Sequence, residues 1–414
     1  MTSLSRLLTL LFVVVLCVLP AAGAPQRVII NASASGPARY MVALNEDVDD
    51  VPSVADELTA MHHGHLSRLL RRAIHGFTVE MSATSALKLL DDQRVAYIEQ
   101  DSTTSGGTVH PSVSDTQTAP SSWGLDRIDQ RDLPLNQSYV YNATGLGVTA
   151  YVVDSGINAT HVEFGGRVRS GFNYDTTLPL TDCNGHGTHV AGIVGGSVHG
   201  VAKDVSLVSV RVLDCDNRGL TTDMVAGIDW AIGDHQNGQA AVMNLSIYTD
   251  SPSTSFEGAI NRAIAAGITV CVIAGNGTAN NSLATDACTT TPARVVNAIT
   301  VSATTILDNR ASFANFGSCV DLFAPGSQIE SAWFTSDTAL AVDSGTSMAT
   351  PHVTGAAALY LESHPNAAPV TVAFELIANA SMNKIGNAGT ESPNRLLFMN
   401  GADVPLRRPA ARRP

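Results

Sequence analysis

Three short segments of this 414-residue chain carry residue types that together could perform acyl transfer. Val152-Val153-Asp154-Ser155-Gly156 places an acid at the end of an apolar run. Asn184-Gly-His186-Gly-Thr-His189-Val-Ala-Gly192 places a histidine at a glycine-flanked helix start. Ser344-Gly345-Thr346-Ser347-Met348-Ala349-Thr350-Pro351-His352 sets a serine ahead of an apolar stretch through Ala356, Ala357, Ala358 and Leu359. A serine nucleophile needs a base to take its proton, and the base needs an acid to fix its tautomer. Asp154, His186 and Ser347 could fill those roles. Taken singly, such an Asp or Ser is an ordinary cap. One base suffices, so His189 and His352 are expected to be structural.

Positioning these groups requires a scaffold, and the sequence from Trp123 onward suggests one. Residues 147–153, 205–212, 241–246 and 267–273 read as buried strands, separated by helical patterns near 187–196, 221–235 and 254–266. That alternation predicts a parallel sheet covered on both faces, a doubly wound α/β domain over 123–400. Open parallel sheets build sites beyond the carboxyl ends of their strands, where Asp154 would lie.

A smaller unit over 25–105 precedes it. Strands over 39–44, 74–80 and 95–99 and helical patterns over 54–70 and 83–90 suit a ferredoxin-like α+β domain of βαββαβ-like order. Met61-His62-His63-Gly64-His65 has poor ligand spacing on a helix and is expected to be solvated rather than metal-binding. Residues 102–122, rich in Ser, Thr, Gly and Pro, read as an exposed linker open to proteolysis, with the processing site within 106–122. Residues 1–24 combine Arg6, the apolar stretch Leu7 to Leu19 and small residues Ala21 to Ala24, the pattern of a secretory signal peptide. Residues 401–414 form a basic tail, read as solvated.

Composition narrows the partners. A content of 44% hydrophobic and 15% charged residues excludes a disordered chain, and the net charge of −13 argues against nucleic acid. No other stretch is long and apolar enough to span a membrane, so a soluble mature protein is expected. Of six cysteines, Cys17 lies in the signal segment, and the remaining five cannot all pair with one another.

The three motifs together resemble the subtilisin-type serine endopeptidases, most closely the proteinase K and aqualysin-like group. Their order, Asp then His then Ser, is that of subtilisin. The resemblance implies that Ser347 attacks the scissile carbonyl, that His186 is general base and then acid, and that Asp154 holds the imidazole. Asn276 in Val272-Ile-Ala-Gly-Asn276 matches the oxyanion-hole asparagine, with the Ser347 backbone N–H as second donor. Asn276 also heads an Asn-Gly-Thr sequon, which must stay unmodified in that role. The first unit resembles an inhibitory pro-domain that assists folding, occupies the cleft and is then cut off within the linker.

The resemblance also implies a peptide cleft between Asn217-Arg218-Gly219 and Ser246-Ile247-Tyr248, with Ala274 and Gly275 beside it. Two departures stand there. Tyr248 replaces a usual glycine, and Asn217-Arg218 replace Gly-Ser, so an altered subsite preference is expected, with Arg218 favouring an acidic residue upstream of the cut. The pairs Cys183–Cys215 and Cys288–Cys319 are implied, each closing a loop near thirty residues and worth roughly 3–4 kcal/mol in a chain-entropy model. Cys271, mid-strand, remains an apolar thiol. No catalytic cofactor is expected. Structural calcium is, held by Asp321 with the carbonyls of Val296 and Ala298. Asp126, Asp129 and Gln130 resemble a second calcium site, against the alternative of salt bridges to Arg127 and Arg131. The expected protein is a secreted monomer acting on proteins or peptides and inhibited by its own pro-domain. A catalytically weak peptide-binding homologue is the alternative, whereas an esterase-type hydrolase would need a Gly-x-Ser-x-Gly elbow that Ser347 lacks. Asn136, Asn142, Asn158 and Asn379 lie in further glycosylation sequons.

Overall fold

The computed structural model of the protein describes residues 28–29, 37–101, 103–106, 112–113, 122–236, 238–249, 251–277 and 283–399. The expected signal segment, the basic tail and much of the linker lie outside these residues.

The first unit contains β1 (Val28–Ile29), β2 (Pro37–Leu44), α1 (Val51–Met61), β3 (His65–Leu70), β4 (Gly76–Ser82), α2 (Ala83–Leu89) and β5 (Val95–Gln100). Its sheet has the order β1-β5-β2-β4-β3. The helix expected over 54–70 is in fact two elements. α1 ends in a Schellman closure: the His63 N–H bonds to the Ala60 carbonyl at 3.3 Å and the Gly64 N–H to that of Thr59 at 2.9 Å, with His63 left-handed at φ 54°. The chain then enters β3, whose pairing with β4 shifts register between Leu66 and Arg68. Leu66 and Leu69 both pack on the unit's core. This bulge puts residues three apart on one face and so imitates helical spacing.

β2 is buried on both sides. Tyr40, Val42 and Leu44 join the unit's own core, while Met41 and Ala43 join Leu70, Ala73 and Ile74 against the larger unit. The sheet therefore has helices on one face and the larger unit on the other.

The chain continues through β6 (Thr103–Gly106), β7 (Ser112–Val113), α3 (Trp123–Ile128), β8 (Thr149–Asp154), β9 (Val168–Asn173), α4 (His186–Gly195), β10 (Ser206–Arg211), β11 (Arg218–Leu220), α5 (Thr221–Asp234), β12 (Ala241–Leu245), β13 (Ile247–Thr249) and α6 (Thr254–Ala265). It ends with β14 (Thr269–Ile273), β15 (Ile299–Thr304), β16 (Leu322–Pro325), β17 (Ile329–Ala332), β18 (Leu340–Asp343), α7 (Thr346–Ser363), α8 (Pro369–Asn379), β19 (Ser381–Met382) and β20 (Arg395–Leu396). A nine-stranded sheet runs β19-β20-β16-β15-β14-β12-β8-β10-β9, parallel except at its β19–β20 edge. β8 shows why the strands read as continuous apolar runs. Ala150 and Val152 face the core shared with α4 and α7, and Tyr151 and Val153 the one shared with α5 and α6. The doubly wound class expected from sequence is the observed one.

The linker departs from its expected exposed form. β6 is the middle strand of a three-stranded antiparallel sheet between β11 and β13, and β7 pairs with β18. A strand held between two edges relies on main-chain hydrogen bonds, so Thr-Thr-Ser-Gly can form one without an apolar pattern to announce it.

Candidate active site

Asp154 is the last residue of β8, a central strand, and His186 is the first residue of α4. The Asp154 Oδ1 accepts from His186 Nδ1 at 2.7 Å and from the Ser155 N–H at 2.7 Å. Both residues are buried. Burial works against a charged imidazole, but the adjacent Asp154 carboxylate outweighs it and raises the His186 pKa above the ordinary value. The start of α4 is fixed by Asp182, whose carboxylate accepts from the N–H groups of Asn184, Gly185 and Thr188, each at 2.9 Å, and from the Ser155 hydroxyl at 3.0 Å. Sequence reading passed over Asp182. An Asp shortly before a glycine-bounded helix start was the signal for it.

Ser347 is the second residue of α7. Its Oγ donates to the Ser246 carbonyl at 3.2 Å, and His186 Nε2 is buried with no hydrogen-bond partner among the described residues. Catalytic hydrogen bonds often tighten only once substrate is bound. Pro351, four residues on, has no N–H for the Ser347 carbonyl, which instead accepts from Ser246 Oγ at 3.0 Å. Ser246 Oγ also accepts from Asn244 Nδ2 at 2.8 Å, and Asn244 Oδ1 from Thr354 Oγ1 at 2.9 Å. This buried chain ties the end of β12 to α7. Asn244 and Thr354 are positioning residues that sequence reading did not single out, because both lie within otherwise apolar runs.

Asn276 follows β14. Its Oδ1 accepts from the Thr346 N–H at 2.9 Å and Oγ1 at 2.8 Å, which orients the amide and leaves its buried Nδ2 unpartnered. A methyl group placed on Gly345 would lie 3.1 Å from Asn276 Nδ2 and 3.5 Å from the Ser347 nitrogen, so the two donors border one small space. Ala274 and Gly275 are held by Asn315, whose Nδ2 donates to the Ala274 carbonyl at 3.0 Å and whose N–H donates to that of Gly275 at 2.9 Å. Gly275 needs its φ of 96° for this turn.

The expected cleft residues fall on two facing edges. Arg218 and Gly219 lie on β11, entered through left-handed Asn217 at φ 61°. Ile247 and Tyr248 lie on β13 directly after Ser246. His189 is buried with Nε2 3.1 Å from the carbonyls of both Ile329 and Ala341, and His352 with Nδ1 2.8 Å from the Met348 carbonyl. Burial pushes their pKa values down to about 3 and about 4, leaving both neutral.

Cys183–Cys215 and Cys288–Cys319 are disulfides, and Cys271 is a buried thiol whose pKa burial pushes up to about 12. Asp321 is largely buried, with Oδ2 accepting from the Thr300 N–H at 2.9 Å and no ion pair among the described residues. Burial raises its pKa to about 6. Such a carboxylate, with no cation partner among the described residues, has the chemistry of a calcium ligand. At the second expected site both carboxylates accept from backbone N–H groups, and Asp129 Oδ1 is buried without a partner among the described residues. Asp126 accepts from the N–H groups of Asn136 and Gln137 at 3.1 and 2.6 Å, and Asp129 from that of Val140 at 2.5 Å. Gln130 Nε2 donates to the carbonyls of Asp132 and Pro134 at 2.6 and 2.9 Å. The alternative of salt bridges to Arg127 and Arg131 does not form, since Arg127 pairs with Asp308 at 2.7 Å and Arg131 lies over the Phe398 ring.

The first unit meets this domain through two carboxylates, one buried and one half-buried. Glu99 accepts from the Ser255 N–H at 2.9 Å and from Ser253 Oγ at the start of α6. Asp101 accepts from the Thr222 N–H and Oγ1 at 3.0 and 2.5 Å at the start of α5. Burial raises both pKa values, that of Asp101 to about 6.

A doubly wound parallel sheet that gathers an Asp–His pair and a helix-borne serine at its carboxyl edge defines an α/β protein with a site of serine-hydrolase type. The chain belongs to the subtilase family (peptidase S8), a family of serine endopeptidases whose model matches residues 145–401. It is 46% identical over 392 residues to an extracellular serine proteinase of Thermus sp. (strain Rt41A), covering 89% of this chain and 91% of that protein. It is 44% identical over 345 residues to alkaline serine exoprotease A of Vibrio alginolyticus, covering 83% of this chain and 62% of that one. A crystal structure of a cold-adapted subtilisin-like serine proteinase matches with a TM-score of 0.63 at 47% identity, covering 68% of this chain and 98% of that one.

Proposed function

We propose that the chain is the zymogen of a secreted serine endopeptidase in which Asp154, His186 and Ser347 form the catalytic triad. The observation that carries this reading is the 2.7 Å Asp154–His186 hydrogen bond, set beside the paired donors of Asn276 and Ser347. Ser347 Oγ attacks the scissile carbonyl as His186 Nε2 takes its proton. Asp154 stabilises the imidazolium, and Asn276 Nδ2 with the Ser347 N–H receives the oxyanion. His186 then gives its proton to the leaving amine, and water repeats the sequence on the acyl-enzyme.

The first unit acts as an intramolecular inhibitor. β6 lies between the two edges where substrate would add as a strand, and β7 pairs with β18, just ahead of Ser347. Processing falls between Gly106 and Ser112, after the strand that fills the two edges. Segment 1–24 directs export, the protein acts as a monomer on proteins or peptides, and Asp321 with the Val296 and Ala298 carbonyls holds a structural calcium ion.

Phenylmethylsulfonyl fluoride should label Ser347 in the processed protein and fail to do so in His186→Ala. The Ser347→Ala chain should stay unprocessed, and sequencing the mature N-terminus should place the cut. Absence of both labelling and casein cleavage would overturn the reading in favour of a peptide-binding homologue.

A further inference from the structure

The register of the three-stranded sheet assigns neighbours to every position of a bound peptide strand. Residue 105 of β6 is directly opposite Arg218 on β11 and directly opposite Tyr248 on β13. Directly opposed residues of antiparallel strands project to the same face, about 4.5–5.5 Å apart at their Cβ atoms. A substrate side chain at this position therefore has Arg218 on one side and Tyr248 on the other. Ile247 is opposite residue 106, so the next peptide residue is opposite Ser246, whose carbonyl accepts from Ser347 Oγ. Counting from that acyl residue as the first, the position flanked by Arg218 and Tyr248 is the third.

Arg218 is free to serve there. It is exposed and makes no ion pair among the described residues. Of the two carboxylates just before it in the chain, Asp216 forms no ion pair with it among the described residues, and Asp214 has its Oδ1 committed to the N–H groups of Asp216 and Arg218, both at 2.9 Å. A guanidinium can donate two parallel hydrogen bonds to a carboxylate, and a phenol can donate one more. The chain's own residue at this position is Ser105, which carries no carboxylate.

Resting on the proposed protease reading, we infer that Arg218 and Tyr248 form a subsite selecting an acidic side chain at the third residue upstream of the cleaved bond. The pair lies near solvent, where ion pairs are weak and salt-screened. The preference for Glu over Gln should accordingly be about twofold to fivefold in kcat/KM and should shrink as salt is added.

The test uses processed enzyme and peptide p-nitroanilides of the form Ala-Xaa-Ala-Phe, with Xaa as Glu, Gln or Lys. The order Glu over Gln over Lys is expected. The Glu-to-Gln ratio is read within each variant, so changes in overall activity cancel. It should fall to about one in Arg218→Ser, persist in Arg218→Lys and drop in Tyr248→Phe. Hydrolysis with equal rates for Glu and Gln, or a ratio unchanged by Arg218→Ser, overturns the subsite while leaving the protease reading standing. No hydrolysis of any of the three peptides, with casein also intact, overturns both.

Discussion

At the scale of single residues, Gly345 separates two roles that a glycine can have. Its backbone is extended, at φ 170°, so alanine fits there without strain. The new methyl would nevertheless crowd Asn276 Nδ2 at 3.1 Å. Gly345→Ala is therefore expected to fold with an unchanged Tm and to lose about 10²–10³ in kcat, matching Asn276→Ala, because each blocks one oxyanion donor. Steady-state kinetics beside a melting curve checks both halves. The pH profile follows from His186. The base must be neutral to accept a proton, and its pKa lies above the ordinary imidazole value, so kcat/KM should rise with pH along a limb displaced upward. Asp154→Asn removes the attraction that outweighs desolvation. It should shift the limb downward and cost about 10⁴ in kcat, as tautomer control is lost. These side chains were legible in the sequence because each sits in a run of small residues that only a tight backbone requires. Asp182, Asn244, Thr354 and Asn315 were not, because a buried polar residue is recognisable only once its partners are known.

Among elements, the hidden information lay where two periodicities coincide or none is needed. Leu66 and Leu69 suited a helix until the β3 bulge supplied a second way for residues three apart to share a face. β6 had no apolar pattern because its partners are backbones. Glu99 reads as the end of a strand and Asp101 lies just beyond it, yet they reach the first turns of α6 and α5, where free N–H groups and the helix dipole favour a carboxylate. Desolvation outweighs those bonds, so both pKa values are raised on docking. The docked state then binds protons more tightly than the free first unit. The resulting stabilisation is complete below the free carboxylate pKa and is lost as pH rises through about 6 for Asp101. If the first unit is cut off as proposed, it should therefore leave the enzyme more readily at pH 8 than at pH 5, by a factor on the order of ten or more. Asp101→Asn should flatten this dependence. Activity recovery after a pH jump measures it, and faster release at the lower pH would refute the assignment.

For the whole molecule, the α/β alternation made the doubly wound sheet legible, whereas docking of the first unit depended on a second apolar face of β2 that a strand buried on both sides does not advertise. The domain is also tied at sites distant from one another in the fold. Cys183–Cys215 joins the segment leading into α4 to the turn before β11, and Cys288–Cys319 joins the segment after β14 to the approach to β16. Replacing either pair by alanines should cost roughly 3–4 kcal/mol, seen as a lower Tm, without altering the site directly. Asp321 acts by a different route. A buried carboxylate with no cation partner is costly, and one oxygen bonded to the Thr300 N–H offsets only part of that cost. A calcium ion held by Asp321, with the carbonyls of Val296 and Ala298 as proposed, would supply that cation in the folded state alone. Such binding stabilises by mass action, about 2.7 kcal/mol when free calcium is a hundred times its Kd. Chelation should lower the Tm of the processed enzyme with both disulfides intact, and added calcium should restore it. In Asp321→Asn the melting temperature should no longer respond to chelator. A full response in that variant would place the ion elsewhere.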